Sequence, residues 1–371
     1  MKHKLIFLAI LLCLSLTGCA WMDGYYVHVT PHEEKDKGPQ FDSVTASSPG
    51  ELKSILEDMV LEGSGSGVIL LTDYDRQEAE ANMEVMSRYL IHGFPVGAYA
   101  VEDVNYEIGA SSGKPAIAVT IHYRHNPLEI RQILHVKDME EMIEKVETAL
   151  ERIDPGLVVQ VEQYHDLDFT QIVRDYAWEH PDIVMELPQV TMALYGSGPH
   201  NRVVELKFTY LTGRDSLRQM RRQVQSVFEA AELYVTEDAS QHQKFSQLYS
   251  FLMERFDYRI QTSITPTYSL LHHGVGDSKA FALTYSAMCK NAGLECRVVT
   301  GTRDGEPWTW NMVVEDGSCR HVDLLRCSSS GGFAHKLDSE MEGYVWDYSA
   351  YPPCNGSVKP TAETDGETAE P

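Results

Sequence analysis

Basic residues are scarce in this chain. Its 371 residues carry 31 Lys and Arg against 55 Asp and Glu, a formal net charge of −24. That balance excludes a nucleic-acid partner, because a phosphate backbone is bound by basic surface. It favours a well-hydrated surface and would attract a cationic ligand such as a polyamine or a basic peptide. Cysteine is absent between residues 20 and 288. The spacings of the later cysteines form no zinc signature, so no metal and no cofactor is expected. After residue 16 no run is apolar enough to span a bilayer, which excludes a multi-pass membrane protein of the helical kind.

The N-terminus is different. Lys2 and Lys4 precede an apolar run from Leu5 to Leu16, too short for a comfortable span and typical of a signal-peptide core. The run ends in Leu16-Thr17-Gly18-Cys19, which resembles a bacterial lipobox. The resemblance implies cleavage before Cys19 and lipid attachment to its thiol. Residues 1–19 are then a lipoprotein signal peptide, and the mature protein is lipid-anchored on the extracytoplasmic face of a membrane. Residues 20–50 are polar and interrupted by Pro31, Pro39 and Pro49, which predicts a tether. Residues 356–371 predict a disordered acidic tail.

Five cysteines follow: Cys289, Cys296, Cys319, Cys327 and Cys354. An exported compartment permits disulfides, and an odd number leaves at least one thiol free or paired between chains. Cys289 is placed as a small core residue on a helix. Cys319, Cys327 and Cys354 are the better bridge candidates, with the pairing open.

Residues 51–220 read as an internal duplication, modules 51–135 and 136–220. Each copy runs helix, strand, helix and two strands: 51–60, 67–71, 79–89, 101–108 and 116–123, then 139–153, 156–161, 169–178, 190–195 and 203–210. Tyr123 matches Tyr210 and Ile130 matches Leu217, both 87 residues apart (from 123 to 210 and from 130 to 217). Glycines in 110–114 and 196–199 supply the tight connections. Tyr74, Asp75, His165 and Asp166 fall at strand ends, where solvated loop residues are the simpler reading. Two amphipathic helices follow, over 215–235 and 242–256, with Leu217, Val224 and Phe228, then Phe245, Leu248 and Leu252 at helical spacing.

The stretch 271–301 organises the remainder. A turn around Gly274 and Gly276 opens a helix at Asp277-Ser278, which ends at Gly293, and a strand follows from Glu295. Trp308-Thr-Trp310-Asn311 and His321-Val-Asp323 complete the pattern. In this order these pieces resemble the core of the transglutaminase-like superfamily, the papain-type fold of cysteine peptidases and acyltransferases. The likeness runs from about Phe245 to Cys354 and includes Tyr344-Val-Trp346. It implies an α+β fold with a transglutaminase-like domain over 221–355, preceded by the two α/β modules. The family's nucleophilic cysteine falls on Ser278, its histidine on Trp308 and its aspartate on Asp323. Two of three catalytic residues are replaced.

The replacements bear on chemistry. A helix N-terminus stabilises a thiolate, but serine needs a general base within hydrogen-bond reach. The Trp308 indole is a donor only. Asp277 and Ser278 are ordinary helix-starting residues, Trp310 is core, and Trp308 either plugs the cleft or offers it an aromatic platform. His321 lies two positions before Asp323 on an expected strand, hence on the same side, and His272 and His273 precede the turn. Any of the three would be needed as a displaced base for Ser278. The expectation is a non-catalytic domain that binds a peptide, a polyamine, a peptidoglycan fragment or another envelope protein. The competing expectation is a serine-dependent peptidase or acyltransferase using Ser278.

Overall fold

A computed structural model describes residues 44–356 apart from residues 261 and 331. The signal peptide, Cys19, most of the tether and nearly all of the tail lie outside the described residues.

The first sheet contains β1 (Val44–Ala46), β2 (Ser66–Leu71), β3 (Val101–Ser111) and β4 (Lys114–Tyr123), in the order β1-β2-β4-β3. β1 and β2 are parallel, and the other pairings are antiparallel. Helices α1 (Pro49–Glu62), α2 (Arg76–His92) and α3 (Pro95–Ala100) accompany it, with α4 (Pro127–Arg131) beyond. α1 starts where it does because Ser48 accepts from the Glu51 N–H and Pro49 needs no donor partner in the first turn. It stops at Gly63, whose φ of 70° is a left-handed cap. Leu52, Leu56 and Met59 pack with Ile69, Ile117 and Met83 in one cluster.

The second sheet contains β5 (Leu134–Val136), β6 (Gly156–Val161), β7 (Gln189–Tyr195) and β8 (Arg202–Thr209), in the order β5-β6-β8-β7. Again the first pair is parallel and the others antiparallel. α5 (Met139–Arg152), capped by Asp138, and α6 (Phe169–Glu179), capped by Asp168, supply Met142, Val146, Phe169 and Val173 to its core.

α7 (Arg214–Tyr234) and α8 (Gln241–Met253) lead into the last unit. The short β9 (Asp257–Tyr258) pairs in parallel with β10 (Val275–Gly276), bracketing α9 (Pro266–His273). α10 (Ser278–Asn291) packs on a sheet of β11 (Glu295–Arg303), β12 (Glu306–Glu315), β13 (Ser318–Val322) and β14 (Tyr344–Trp346), ordered β13-β12-β11-β14 and antiparallel throughout. Asp304-Gly305 and Asp316-Gly317 make its two hairpin turns with positive φ at all four residues, as tight hairpins require. α11 (Leu324–Ser330) follows β13 directly. The fold is α+β, as expected.

Two expectations are corrected, and one helix had not been anticipated. Residues 44–50 are not tether: β1 pairs with β2, Ala46 is fully buried, and α1 begins at Pro49. Pro49, one of the prolines that suggested a break, instead starts α1. α3 has no counterpart in the sequence reading, because all six of its residues are buried, which leaves no apolar–polar period to detect. Asp323 does not share a strand face with His321, because β13 ends at Val322 and the chain turns into α11.

Candidate functional site

Ser278, Trp308 and Asp323 gather at the N-terminus of α10, beside β12 and the β13–α11 turn. Asp277 is the cap: its Oδ1 accepts from the Ala280 N–H at 2.9 Å. Ser278 is the first helical residue and is 9% exposed. Its Oγ accepts from the Thr309 N–H at 3.3 Å. Among the described residues no histidine hydrogen-bonds to it. The gap between Ser278, Phe281, Thr309, Trp310 and Asp323 has no room for a water molecule.

The other two positions are bonded to each other. Trp308 Nε1–H donates to Asp323 Oδ2 at 2.8 Å. The aspartate therefore fixes a ring on β12, but the ring is an indole, which donates its N–H and cannot accept a proton. Asp323 is almost saturated. Its Oδ2 also accepts from the Tyr344 hydroxyl at 2.5 Å, and its Oδ1 accepts from the Leu325 and Arg326 N–H groups at 3.1 and 3.2 Å. Arg303 Nη1 stands 3.6 Å from Oδ2. Burial, together with Asp323, pushes the Tyr344 hydroxyl's pKa well up, so it remains a donor.

Trp308 is packed rather than presented. The Arg303 guanidinium lies 5.0 Å from its ring centroid and the Tyr258 ring 5.7 Å. An internal cation thus occupies the position that a bound cation would take. Tyr344, Arg303 and Tyr258 are site residues that sequence reasoning missed as such. Only Tyr344 had a signal, its place in the segment resembling the family's closing strand.

The displaced-base candidates are accounted for. His321 is fully buried and engaged at both nitrogens. Trp310 Nε1–H donates to its Nδ1 at 3.0 Å, and its Nε2 lies 2.8 Å from Asp338 Oδ1. Because indole only donates, Nδ1 must be bare and Nε2 carries the proton. The expectation that His321 could serve Ser278 is therefore corrected. His272 and His273 are exposed at the end of α9, clustered with Tyr268. Trp310 is core, 1% exposed. In the modules, Tyr74 hydrogen-bonds Asn82, Asp75 caps α2, and Asp166 accepts from Tyr164. His165 is exposed. They form no site.

One disulfide, Cys319–Cys354, ties β13 to the segment after β14. It takes two of the three bridge candidates. Cys327 is buried, with its thiol against the Ala334 backbone, and Cys289 is buried in the core as expected.

Residues 229–337 match the model of the transglutaminase-like superfamily. The chain carries a transglutaminase-like domain, and Ser278, Trp308 and Asp323 all lie within the matched residues. No curated protein matches. Similar solved structures include a TGase, at 10% identity and TM-score 0.27, covering 62% of this chain and 70% of that one. A candidate cysteine protease from Cytophaga hutchinsonii matches at 12% identity and TM-score 0.26, covering 42% and 70%. A candidate protease from Parabacteroides distasonis matches at 9% identity and TM-score 0.23, covering 70% of this chain and 41% of that one. At such scores these three likenesses carry no weight for mechanism.

Proposed function

We propose that this is a lipid-anchored extracytoplasmic protein whose transglutaminase-like domain is non-catalytic and serves binding or assembly at the cell envelope. The observation that carries the reading is the Trp308–Asp323 hydrogen bond, with Ser278 left only the Thr309 N–H as partner. This reading is supported by the want, among the described residues, of a histidine bonded to Ser278 and by the close packing around its hydroxyl.

Binding is favoured over a purely structural role by the surface around the closed cleft. Tyr258, Ile260, Val345 and Tyr348 are exposed at 38, 91, 63 and 62%. Tyr258 packs on Trp308 and Val345 follows Tyr344, and exposed apolar side chains of this kind suit a protein or peptide partner. The shared strand order of the first two sheets supports reading their modules as copies, which would offer a second binding surface. Cys19 is the proposed anchor; among the described residues no helix is long and apolar enough to cross a membrane.

The test uses the full-length protein and a fluorophosphonate probe, which labels activated serines. Wild type and Ser278→Ala are expected to label equally, at background. Labelling of wild type that disappears in Ser278→Ala overturns the non-catalytic reading. The anchor is tested separately: Cys19→Ser should move the protein out of the membrane fraction, and retention there rejects lipidation at Cys19.

A further inference from the structure

Away from the Ser278 cleft, three side chains from distant parts of the sequence converge. His242 lies in the first turn of α8, Glu315 is the last residue of β12, and His335 precedes the residue that bridges back to His321. His335 Nδ1 is 3.0 Å from Glu315 Oε2. His242 Nδ1 is 3.4 Å from both carboxylate oxygens. The three ligand atoms all lie within 4.8 Å of one another. We propose that His242, Glu315 and His335 bind a divalent transition-metal cation of the zinc class.

The donor set fits. Two imidazoles and a carboxylate suit zinc better than calcium or magnesium, which take oxygen ligands. Bonds of about 2.0–2.1 Å in a tetrahedron place neighbouring ligand atoms about 3.3 Å apart, so the two nitrogen–oxygen separations are already those of a shared cation. Among the described residues the Glu315 carboxylate pairs with these two histidines and with no Lys or Arg. Phe333 and Phe245 wall one side, with ring centroids 4.8 and 6.3 Å from His335. His242, with its side chain 54% exposed, leaves the other side open for a water or an incoming donor as fourth ligand. The protein's strong negative charge adds long-range attraction for a cation.

A bound cation would pin the start of α8 to the β12–β13 hairpin and to the chain after α11, adding to the Asp316 N–H to Gln241 Oε1 bond at 2.9 Å and to the packing of Phe333 on His242 and Tyr249. The bland alternative is that a shared proton, rather than a metal, holds the two rings to the carboxylate.

The full-length protein, stripped with a chelator, is titrated with Zn2+ by calorimetry, and with Co2+ while its visible absorption is followed. One equivalent of Zn2+ should bind, Co2+ should give the bands of a tetrahedral site, and zinc should raise the unfolding midpoint. Glu315→Gln and His242→Ala should each weaken binding at least about tenfold. His242 is exposed, so its variant should keep the wild-type unfolding midpoint in chelator. No binding by wild type, or undiminished affinity in either variant, overturns the proposal.

Discussion

At the residue scale, His321 is a structural histidine. Its ring is clamped between a donor, Trp310, and an acceptor, Asp338, with Trp346 at 4.9 Å between ring centroids. Burial holds its pKa below the ordinary value, although Asp338, the charged group facing it, pulls the other way. A proton added at Nδ1 would displace the Trp310 donor. The linkage sign follows. Between the depressed folded value and the unfolded value of about 6.5, the unfolded chain binds more protons, so stability rises with pH. The contribution is complete above about pH 6.5 and is lost as pH falls through the folded value. Wild type should therefore lose unfolding free energy below that pH faster than His321→Gln. Urea titrations at several pH values measure this, and parallel slopes for the two proteins reject it.

At the element scale, β14 is the strand that closes the old site, since it delivers Tyr344 to Asp323. It pairs with β11 through Gly301↔Trp346, Thr302↔Val345 and Arg303↔Tyr344. Gly301 is obligatory there: a Cβ would fall 2.1 Å from the Val345 carbonyl and 3.0 Å from the Trp310 ring. Gly301→Ala should cost about 2 kcal/mol as an overpacking change. Amide exchange should quicken at 344–346 while β12 stays protected, and unchanged exchange there would contradict the role given to Gly301.

The elements around this strand were legible where their signal is local. The α10 start could be read from Gly276, Asp277 and Ser278, because capping is a short-range matter. The hairpin at Asp304-Gly305 depends on two residues. The helix α3 and the partners of Asp323 were not legible. α3 is buried on all sides, so it shows no period, and Arg303, Tyr344 and Trp308 meet Asp323 only through strand pairing. His321 was misjudged because strand periodicity was carried one residue past the end of β13. The triad positions were found by resemblance, but that Trp308 would still bond Asp323 is a fact of three dimensions. The His242, Glu315 and His335 cluster has no spacing signature, since its members sit on three elements.

At the scale of the whole molecule, the parts are not beads on a string. Ile153 and Met185 belong to the second module in sequence, yet they pack in the cluster of Phe228, Phe245 and Phe281 from the following unit. Tyr99 of the first module meets Tyr195 of the second at 5.3 Å. Polar contacts line the second junction: Arg214 to Asp154 at 2.6 Å, Lys290 to Glu179 at 3.7 Å, and Lys279 over the Trp178 ring at 5.2 Å. Burial lowers the pKa of Lys279, which shares with Met185, Leu211, Pro266 and Leu283 a cavity of about 240 Å³ at this junction. Exposed ion pairs of this kind contribute little, so the apolar contacts decide. Losing the burial supplied by Ile153 and Met185 should cost about 3–6 kcal/mol at about 1.5–3 kcal/mol per side chain. A fragment spanning 214–356 should accordingly unfold at a markedly lower denaturant midpoint than one spanning 136–356, whose folding unit keeps both residues. Equal midpoints would show that the transglutaminase-like domain is self-sufficient and that the second module is merely attached. A lower midpoint for the short fragment that Met185→Ala in the longer one partly reproduces would assign the difference to this junction.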